Sequence, residues 1–161
     1  MVKKRILVTG GAGYVGTALL PKLLEAGHEV TVFDNLMQGG NQLLSFFRNK
    51  NFNFINGDVT IKSDLESAVK DKDIIIHLAA IVGFPACKNN PELATRVNVG
   101  GTKNLIEVTS PNQTILYGST GSNYGRVTDV CTEESPLNPL SLYGETKTEA
   151  EHLLMARGNV V

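Results

Sequence analysis

The sequence is poor in the features that usually announce a partner. Fifteen Lys and Arg against sixteen Asp and Glu leave a formal net charge of −1, so no global field draws the chain to nucleic acid or to an anionic membrane. The one basic cluster, Lys3-Lys4-Arg5, is short and leads straight into Ile6-Leu7-Val8. It reads as a solvated strand entrance and fails as a signal peptide. The longest apolar stretch, residues 74–84, is too short to span a bilayer and contains His77. There are two cysteines, Cys87 and Cys131, far apart and outside any metal-ligand spacing. They suit reduced thiols, exclude a disulfide scaffold and point to the cytoplasm. The three histidines read as a turn residue (His28), a strand-end packing residue (His77) and a solvated helix position (His152), so no metal site is expected. What remains is ordinary for a globular chain: 161 residues, 42% hydrophobic and 19% charged, enough for one domain with a real core.

What is present is an alternation of short apolar runs and helical patterns. Strands are predicted at 5–8, 29–33, 52–55, 73–78 and 114–117, with a sixth starting at 158–161. Helices are predicted at 14–26, 41–48, 63–69, 91–109 and 142–156. Pro21 falls inside the first helix and removes one backbone bond there, so a local bend is expected. Pro91 opens the fourth, where a missing N–H costs nothing. Residues 118–139, rich in Gly, Ser, Asn and Pro, read as a loop. The fold class is therefore α/β: a doubly wound parallel sheet, Rossmann-like, with helices in layers on both faces. Ligands in such folds collect at the carboxyl ends of the strands.

The notable residues fall at those ends. Thr9-Gly10-Gly11-Ala12-Gly13-Tyr14-Val15-Gly16 follows the first strand and opens an amphipathic helix. Glycines there allow the tight turn and let a pyrophosphate approach backbone N–H groups at a helix N-terminus. Alone, a glycine triplet is weak evidence. Asp34, closing the second strand, strengthens it, because a carboxylate there accepts both hydroxyls of an adenosine ribose and repels a 2′-phosphate. No Lys or Arg follows in Asn35-Leu36-Met37 to neutralise such a phosphate, so NAD is expected in preference to NADP.

Among the four tyrosines only Tyr143 has a lysine, Lys147, four residues on along a predicted helix. Residues i and i+4 share a helical face. A phenol titrates near ~10, and bringing it to neutrality takes ~4 kcal/mol. One cation ~4 Å away at an effective dielectric of ~20 supplies about that much. By itself Tyr-x-x-x-Lys is usually a surface pair; after the fifth strand of a dinucleotide fold it reads as an acid–base device.

With these residues the chain resembles the extended short-chain dehydrogenase/reductase family, in its NAD-dependent nucleotide-sugar epimerase/dehydratase group. The resemblance is carried by the glycine motif, Asp34-Asn35-Leu36, Gly57-Asp58-Val59, His77-Leu78-Ala79-Ala80, Asn98-Val99-Gly100-Gly101-Thr102, Ser119-Thr120 with Tyr124-Gly125, and Tyr143-Gly144-Glu145-Thr146-Lys147. It implies that Gly10, Gly13, Tyr14, Val15 and Gly16 hold the pyrophosphate, and Asp34 and Asn35 the adenosine ribose. Asp58 and Val59 would flank the adenine, and Leu78, Ala79 and Ala80 would line the path to the nicotinamide. Asn98 would fix that wall, or simply bond within its own helix. Tyr143 would be the base that takes a sugar hydroxyl proton as hydride passes to NAD. Lys147 would bind the nicotinamide ribose, and Thr120 would bond the reacting hydroxyl.

Two departures shape the expected chemistry. Dehydratases of the group follow the catalytic Thr with Asp-Glu, whereas Thr120 is followed by Gly121-Ser122. An epimerase is therefore favoured over a dehydratase. Asn123 replaces the more usual Val. The resemblance also implies more sheet and a substrate region after Val161, so residues 1–161 read as an NAD-binding domain with its Tyr/Lys pair and without its substrate domain. Alternative readings are an NAD-binding module without turnover and an NADP-dependent carbonyl reductase, the latter opposed by Asp34. A nucleotide sugar is the expected substrate, with a homodimer through helices 91–109 and 142–156 as in relatives.

Overall fold

The computed structural model describes residues 2–128 and 130–161. Five parallel strands form one sheet in the order β3-β2-β1-β4-β5: β1 (Arg5–Thr9), β2 (Glu29–Asp34), β3 (Phe52–Asn56), β4 (Ile74–His77) and β5 (Thr114–Tyr117). One row runs across all five, Phe54–Val32–Val8–Ile76–Leu116. Because side chains alternate along a strand, adjacent rows feed opposite cores. Ile6, Val8, Val30, Val32 and Ile76 pack with Leu20 and Leu24 of α1 (Tyr14–Glu25) and with Leu43 of a 3-10 segment, Asn41–Arg48. Leu7, Phe33, Ile75 and Ile115 pack with Leu65 of α2 (Lys62–Val69), Leu105 of α5 (Gly101–Val108) and Leu154 of α6 (Leu142–Arg157). Leu7, Val8, Ile75 and Ile115 are fully buried, each such side chain contributing about 1.5–3 kcal/mol. Strands covered on both faces explain why they read as continuous apolar runs.

Several elements differ from the sequence reading. Helix α1 continues through Pro21 as one element. An extra short helix, α3 (Phe84–Asn89), precedes the predicted fourth one. The predicted 91–109 helix is in three parts: α4 (Pro91–Thr95), a π turn (Arg96–Gly100) and α5. Asn90 separates α3 from α4 and caps α4, its Oδ1 accepting from Leu93 N–H at 3.0 Å. The sixth strand is reduced to a single parallel bridge between Ile115 and Val160, with Tyr117 N–H donating to Val161 O at 2.8 Å. The predicted loop after β5 holds a 3-10 turn, Gly121–Tyr124. No helix among the described residues is long and apolar enough to cross a membrane.

The chain runs outward from β1 to β2 and β3, then crosses back to β4 and β5. The carboxyl ends of β1 and β4 thus border the switch point, where a crevice is expected.

Candidate active site

The crevice at that switch point is a cleft of 570 Å³ lined from Gly10–Gly16 at one end to Tyr143 and Lys147 at the other. At the first end the chain turns so sharply that Gly10 sits at φ +69°. A Cβ on Gly10 would meet Ala79 N at 2.6 Å, and one on Gly16 would meet Gly11 O at 2.5 Å. Neither position can carry a side chain without backbone movement. Helix α1 then starts from Gly13 with no side-chain cap, whereas α6 is capped by Ser141. Its first-turn N–H groups belong to Tyr14, Val15 and Gly16, all of which line the cleft, and such a terminus is suited to an anion. The cradle fits a diphosphate.

Asp34, at the end of β2, is the next fixed point. Its Oδ2 accepts from Ala12 N–H at 3.0 Å and its Oδ1 from Leu36 N–H at 2.8 Å. Each carboxylate oxygen keeps a further acceptor site, enough for a ribose diol. Asn35 donates from Nδ2 to Asp58 Oδ2 at 3.0 Å, and Thr60 N–H donates to Asp58 Oδ1 at 2.8 Å. Burial works against the Asp58 charge, yet these donors outweigh it and hold the carboxyl below its ordinary range. Gln42, which sequence reasoning missed, reaches from the 3-10 segment and donates to Ala12 O and, at 3.3 Å, to Gly39 O. Nothing in residue spacing indicates this contact.

The opposite end is built from buried side chains. Lys147 is 3% exposed, donates to Gly118 O at 2.6 Å and lies 3.9 Å from the Tyr117 ring centroid. No carboxylate pairs with it among the described residues. Burial pushes the ammonium down to about 8, with Glu151 pulling the other way. The Tyr117 phenol is pushed up, first by burial and then by Glu151 and Tyr143. Asn98 lies in the π turn, a bulge that turns it out of the helical ladder. Its Oδ1 accepts from Ile81 N–H at 2.8 Å, and its Nδ2 donates to Ile81 O at 3.1 Å and Thr146 Oγ1 at 3.0 Å. It therefore ties the wall after β4 to α6 from behind, and its bonds leave its own helix.

Of the residues singled out from sequence, Gly10, Gly13, Tyr14, Val15, Gly16, Asp34, Asn35, Asp58, Val59, Leu78, Ala79, Ala80, Tyr143 and Lys147 all line this one cleft. Asn98 stands behind its wall. Thr120 lines a neighbouring cavity of 340 Å³, and Ser119 lines both. Thr120 Oγ1 accepts from Ser122 N–H at 3.2 Å. Sequence reasoning also overlooked a carboxylate at this end of β5. Glu151 of α6 accepts from Ser119 Oγ and, at 2.9 Å, from Asn123 Nδ2. Among the described residues no cluster of His, Cys, Asp and Glu could hold a metal.

A doubly wound sheet, a glycine cradle with a carboxylate beyond it, and a Tyr/Lys helix on the same cleft define a dinucleotide-binding α/β domain. Residues 6–159 match the model of the NAD dependent epimerase/dehydratase family, and the chain belongs to that family. It is 34% identical over 155 residues to a putative UDP-glucose 4-epimerase of Methanocaldococcus jannaschii, covering 92% of this chain and 49% of that protein. It is 35% identical over 162 residues to UDP-glucuronic acid decarboxylase 1 of Danio rerio, covering 96% of this chain and 38% of that protein. The crystal structure of the UDP-glucose 4-epimerase of Thermus thermophilus in complex with NAD superposes with a TM-score of 0.86 at 32% identity, over 96% of this chain and 50% of that one. The chain thus spans about half the length, or less, of these relatives.

Proposed function

We propose that this chain is the cofactor-holding and proton-transfer part of an NAD-dependent nucleotide-sugar epimerase. The observation that carries the reading is the continuity of one cleft from the uncapped α1 terminus, past Asp34, to Tyr143 and Lys147. Gly10, Gly13 and Gly16 leave room for the diphosphate, which the N–H groups of Tyr14 and Val15 would bond. Asp34 and Asn35 would hold the adenosine ribose, Asp58 and Val59 the adenine, and Leu78, Ala79 and Ala80 the approach to the nicotinamide. NAD, when bound, would supply the hydride acceptor and, once reduced, the donor of the same hydride. Tyr143 takes the proton of the sugar hydroxyl and returns it once the carbonyl has been reduced on its other face. Lys147 favours the phenolate through its charge and offers N–H donors to the nicotinamide ribose. Thr120, whose oxygen accepts one bond and which lines the adjoining cavity, would orient the sugar hydroxyl from that side.

Gly121-Ser122 supplies no acid for elimination, which favours epimerisation. Glu151 is a carboxylate nearby, but Ser119 and Asn123 already donate to it. The expected substrate is a nucleotide sugar, and the segment 91–109 (α4, the π turn and α5) and α6 are expected to meet in a homodimer. A second reading, a binding module without turnover, draws support from the cofactor-side residues all lining one cleft while Thr120 lines the neighbouring cavity. NAD titration followed by melting, then incubation with UDP-galactose or UDP-glucose, separates the two. Interconversion at C4, abolished by Tyr143→Phe, is expected of the epimerase; stabilisation by NAD without conversion marks the module. No rise in melting temperature with NAD overturns both, and a clear preference for NADP revives a carbonyl reductase.

A further inference from the structure

Behind the cleft wall a line of buried side chains runs from the strand ends to α6. Thr9 closes β1, His77 closes β4, Asn98 lies in the π turn, Thr102 opens α5 and Thr146 precedes Lys147; each is at most 3% exposed. The direction of every bond can be worked out. Thr146 Oγ1 donates to Tyr143 O at 3.1 Å and accepts from Asn98 Nδ2. Thr102 Oγ1 donates to Asn98 O at 2.7 Å. A hydroxyl has one proton, so Thr102 must accept from His77 Nε2, 3.1 Å away. Nε2 therefore carries the proton. The ring is fully buried, and burial first, with Lys147 second, pushes it down to about 3; it is neutral. Bare Nδ1 then accepts from Thr9 Oγ1 at 2.7 Å, and Thr9 Oγ1 faces Ala79 N–H at 3.4 Å. The imidazole also stacks on Tyr117, centroids 5.9 Å apart, the ring that Lys147 overlies.

We propose that His77 is a positioning residue, whose neutral Nε2–H tautomer locks the strand ends beneath the glycine turn to the helix carrying Tyr143 and Lys147. The inference rests on the reading of that pair as the proton-transfer device. Apolar residues of the same shape would pack here without loss of stability. What the polar line adds is a single arrangement, because each donor has one partner and each rotor one direction. The line reaches Tyr143 through its backbone carbonyl, so His77 acts on the cleft without entering it.

The direct observation is a long-range 1H–15N spectrum of the 15N-labelled chain near neutral pH. His77 protonated at Nε2 with a bare Nδ1 is expected; a proton on Nδ1 overturns the assignment. The functional test is NAD titration of His77→Phe and of the milder Thr102→Val, which keeps side-chain shape and lies outside the cleft lining. Thr102→Val is expected to weaken NAD about tenfold, equivalent to about 1.4 kcal/mol, while Thr102→Ser restores affinity. A purely structural role would lower the melting temperature and leave the NAD affinity of Thr102→Val unchanged, and that result overturns the proposal. If the unaltered chain binds no NAD, the cofactor reading fails separately. Amide exchange at Gly144–Lys147 then decides: faster exchange in Thr102→Val supports the positioning role, and unchanged exchange refutes it.

Discussion

The two ends of the cleft solve opposite problems with opposite materials. At the glycine end the proposed binding groups are backbone N–H groups, side chains are excluded at Gly10 and Gly16, and the helix start has no side-chain cap. At the Tyr143 end a buried lysine is held by a backbone carbonyl, with no carboxylate paired to it among the described residues. The first end is constrained by what cannot be added, the second by what cannot be removed. Substitutions should therefore fail differently: at the glycine end stability and affinity fall together, and at the lysine end they part.

The sharpest form of that contrast is Gly10→Ala against Lys147→Met. Gly10 combines φ +69° with a Cβ position 2.6 Å from Ala79 N. Overpacking against backbone costs about 1–3 kcal/mol, and the left-handed conformation about 1–2 more. Gly10→Ala should lower the melting temperature by about 10 °C and reduce NAD binding at least about a hundredfold, near 2.8 kcal/mol. Calorimetric melting and titration check both. A variant that melts normally would mean the turn can relax and that the cradle is not rigid.

Lys147→Met should raise stability while weakening the cofactor. The folded lysine sits at about 8 against an ordinary 10.5, so it binds its proton less tightly than the unfolded chain does. Stability contributed by this group therefore rises between pH 8 and 10.5, and at neutral pH the buried charge costs about 3 kcal/mol. Lys72, lowered mainly by burial, adds in the same direction, so the variant isolates the share of Lys147. A melting temperature higher by about 5 °C, with a flatter alkaline limb, is the expected outcome. A lower one would show that the bond to Gly118 O outweighs desolvation.

These contrasts also explain what could be read in the sequence. The strands, the glycine turn, Asp34 and the Tyr/Lys pair were legible, because burial on both sheet faces and the close approach at Gly10 and Gly16 each demand particular residue types. Helix α3 was not: Phe84-Pro85-Ala86-Cys87-Lys88-Asn89 is too short to show a period. The π turn at Asn98 inserts into a helical pattern without changing it, so the amide's outward bonds leave no trace in the spacing. Thr120 lines only the neighbouring cavity whereas Ser119 borders both, a difference between adjacent residues that spacing does not show. Glu151 and Gln42 act through contacts 28 to 32 residues away in sequence, where periodicity is silent.

The acid side gives an effect of similar size at the same buried end, spread over pH. His77 sits near 3 when folded and 6.5 when free. Between those values the unfolded chain takes up a proton that the folded chain refuses, so stability falls as pH drops, by about 1.4 kcal/mol per pH unit. Lys147 and Tyr117 are the titratable groups facing the ring, and neither changes charge in that range. Asp58 and Asp73, held below 3.8, and Glu29, held below 4.5 by its bond to Lys3, lose stability only from those values downward, so the range from pH 6.5 to 4.5 reports His77 apart from them. His77→Gln should therefore flatten the stability profile from pH 6.5 down to 4.5, measured by urea unfolding. An unchanged slope would mean that the ring is protonated in the fold, contrary to its neutral tautomer.

The smallest effect tests whether the glycine end is purely backbone. Beside Asp34, which accepts from Ala12 N–H, Gln42 is a second side-chain tie, bonding Ala12 O and Gly39 O and so joining the glycine turn to the turn after β2. Gly39 is exposed, and Ala12, though buried, borders the open cleft, so water can replace the amide when it is removed, and the loss is that of an ordinary hydrogen bond, about 0.5–1.5 kcal/mol. The cost should appear in NAD binding more than in stability, because the turns stay attached to their strands through Gly10 N–H on Phe33 O. Gln42→Ala is expected to weaken NAD about threefold, near 0.7 kcal/mol, with the melting temperature within about 2 °C. A loss as large as that of Gly10→Ala would erase the contrast between the two ends, since the cradle would then depend on a side chain as heavily as the Lys147 end does.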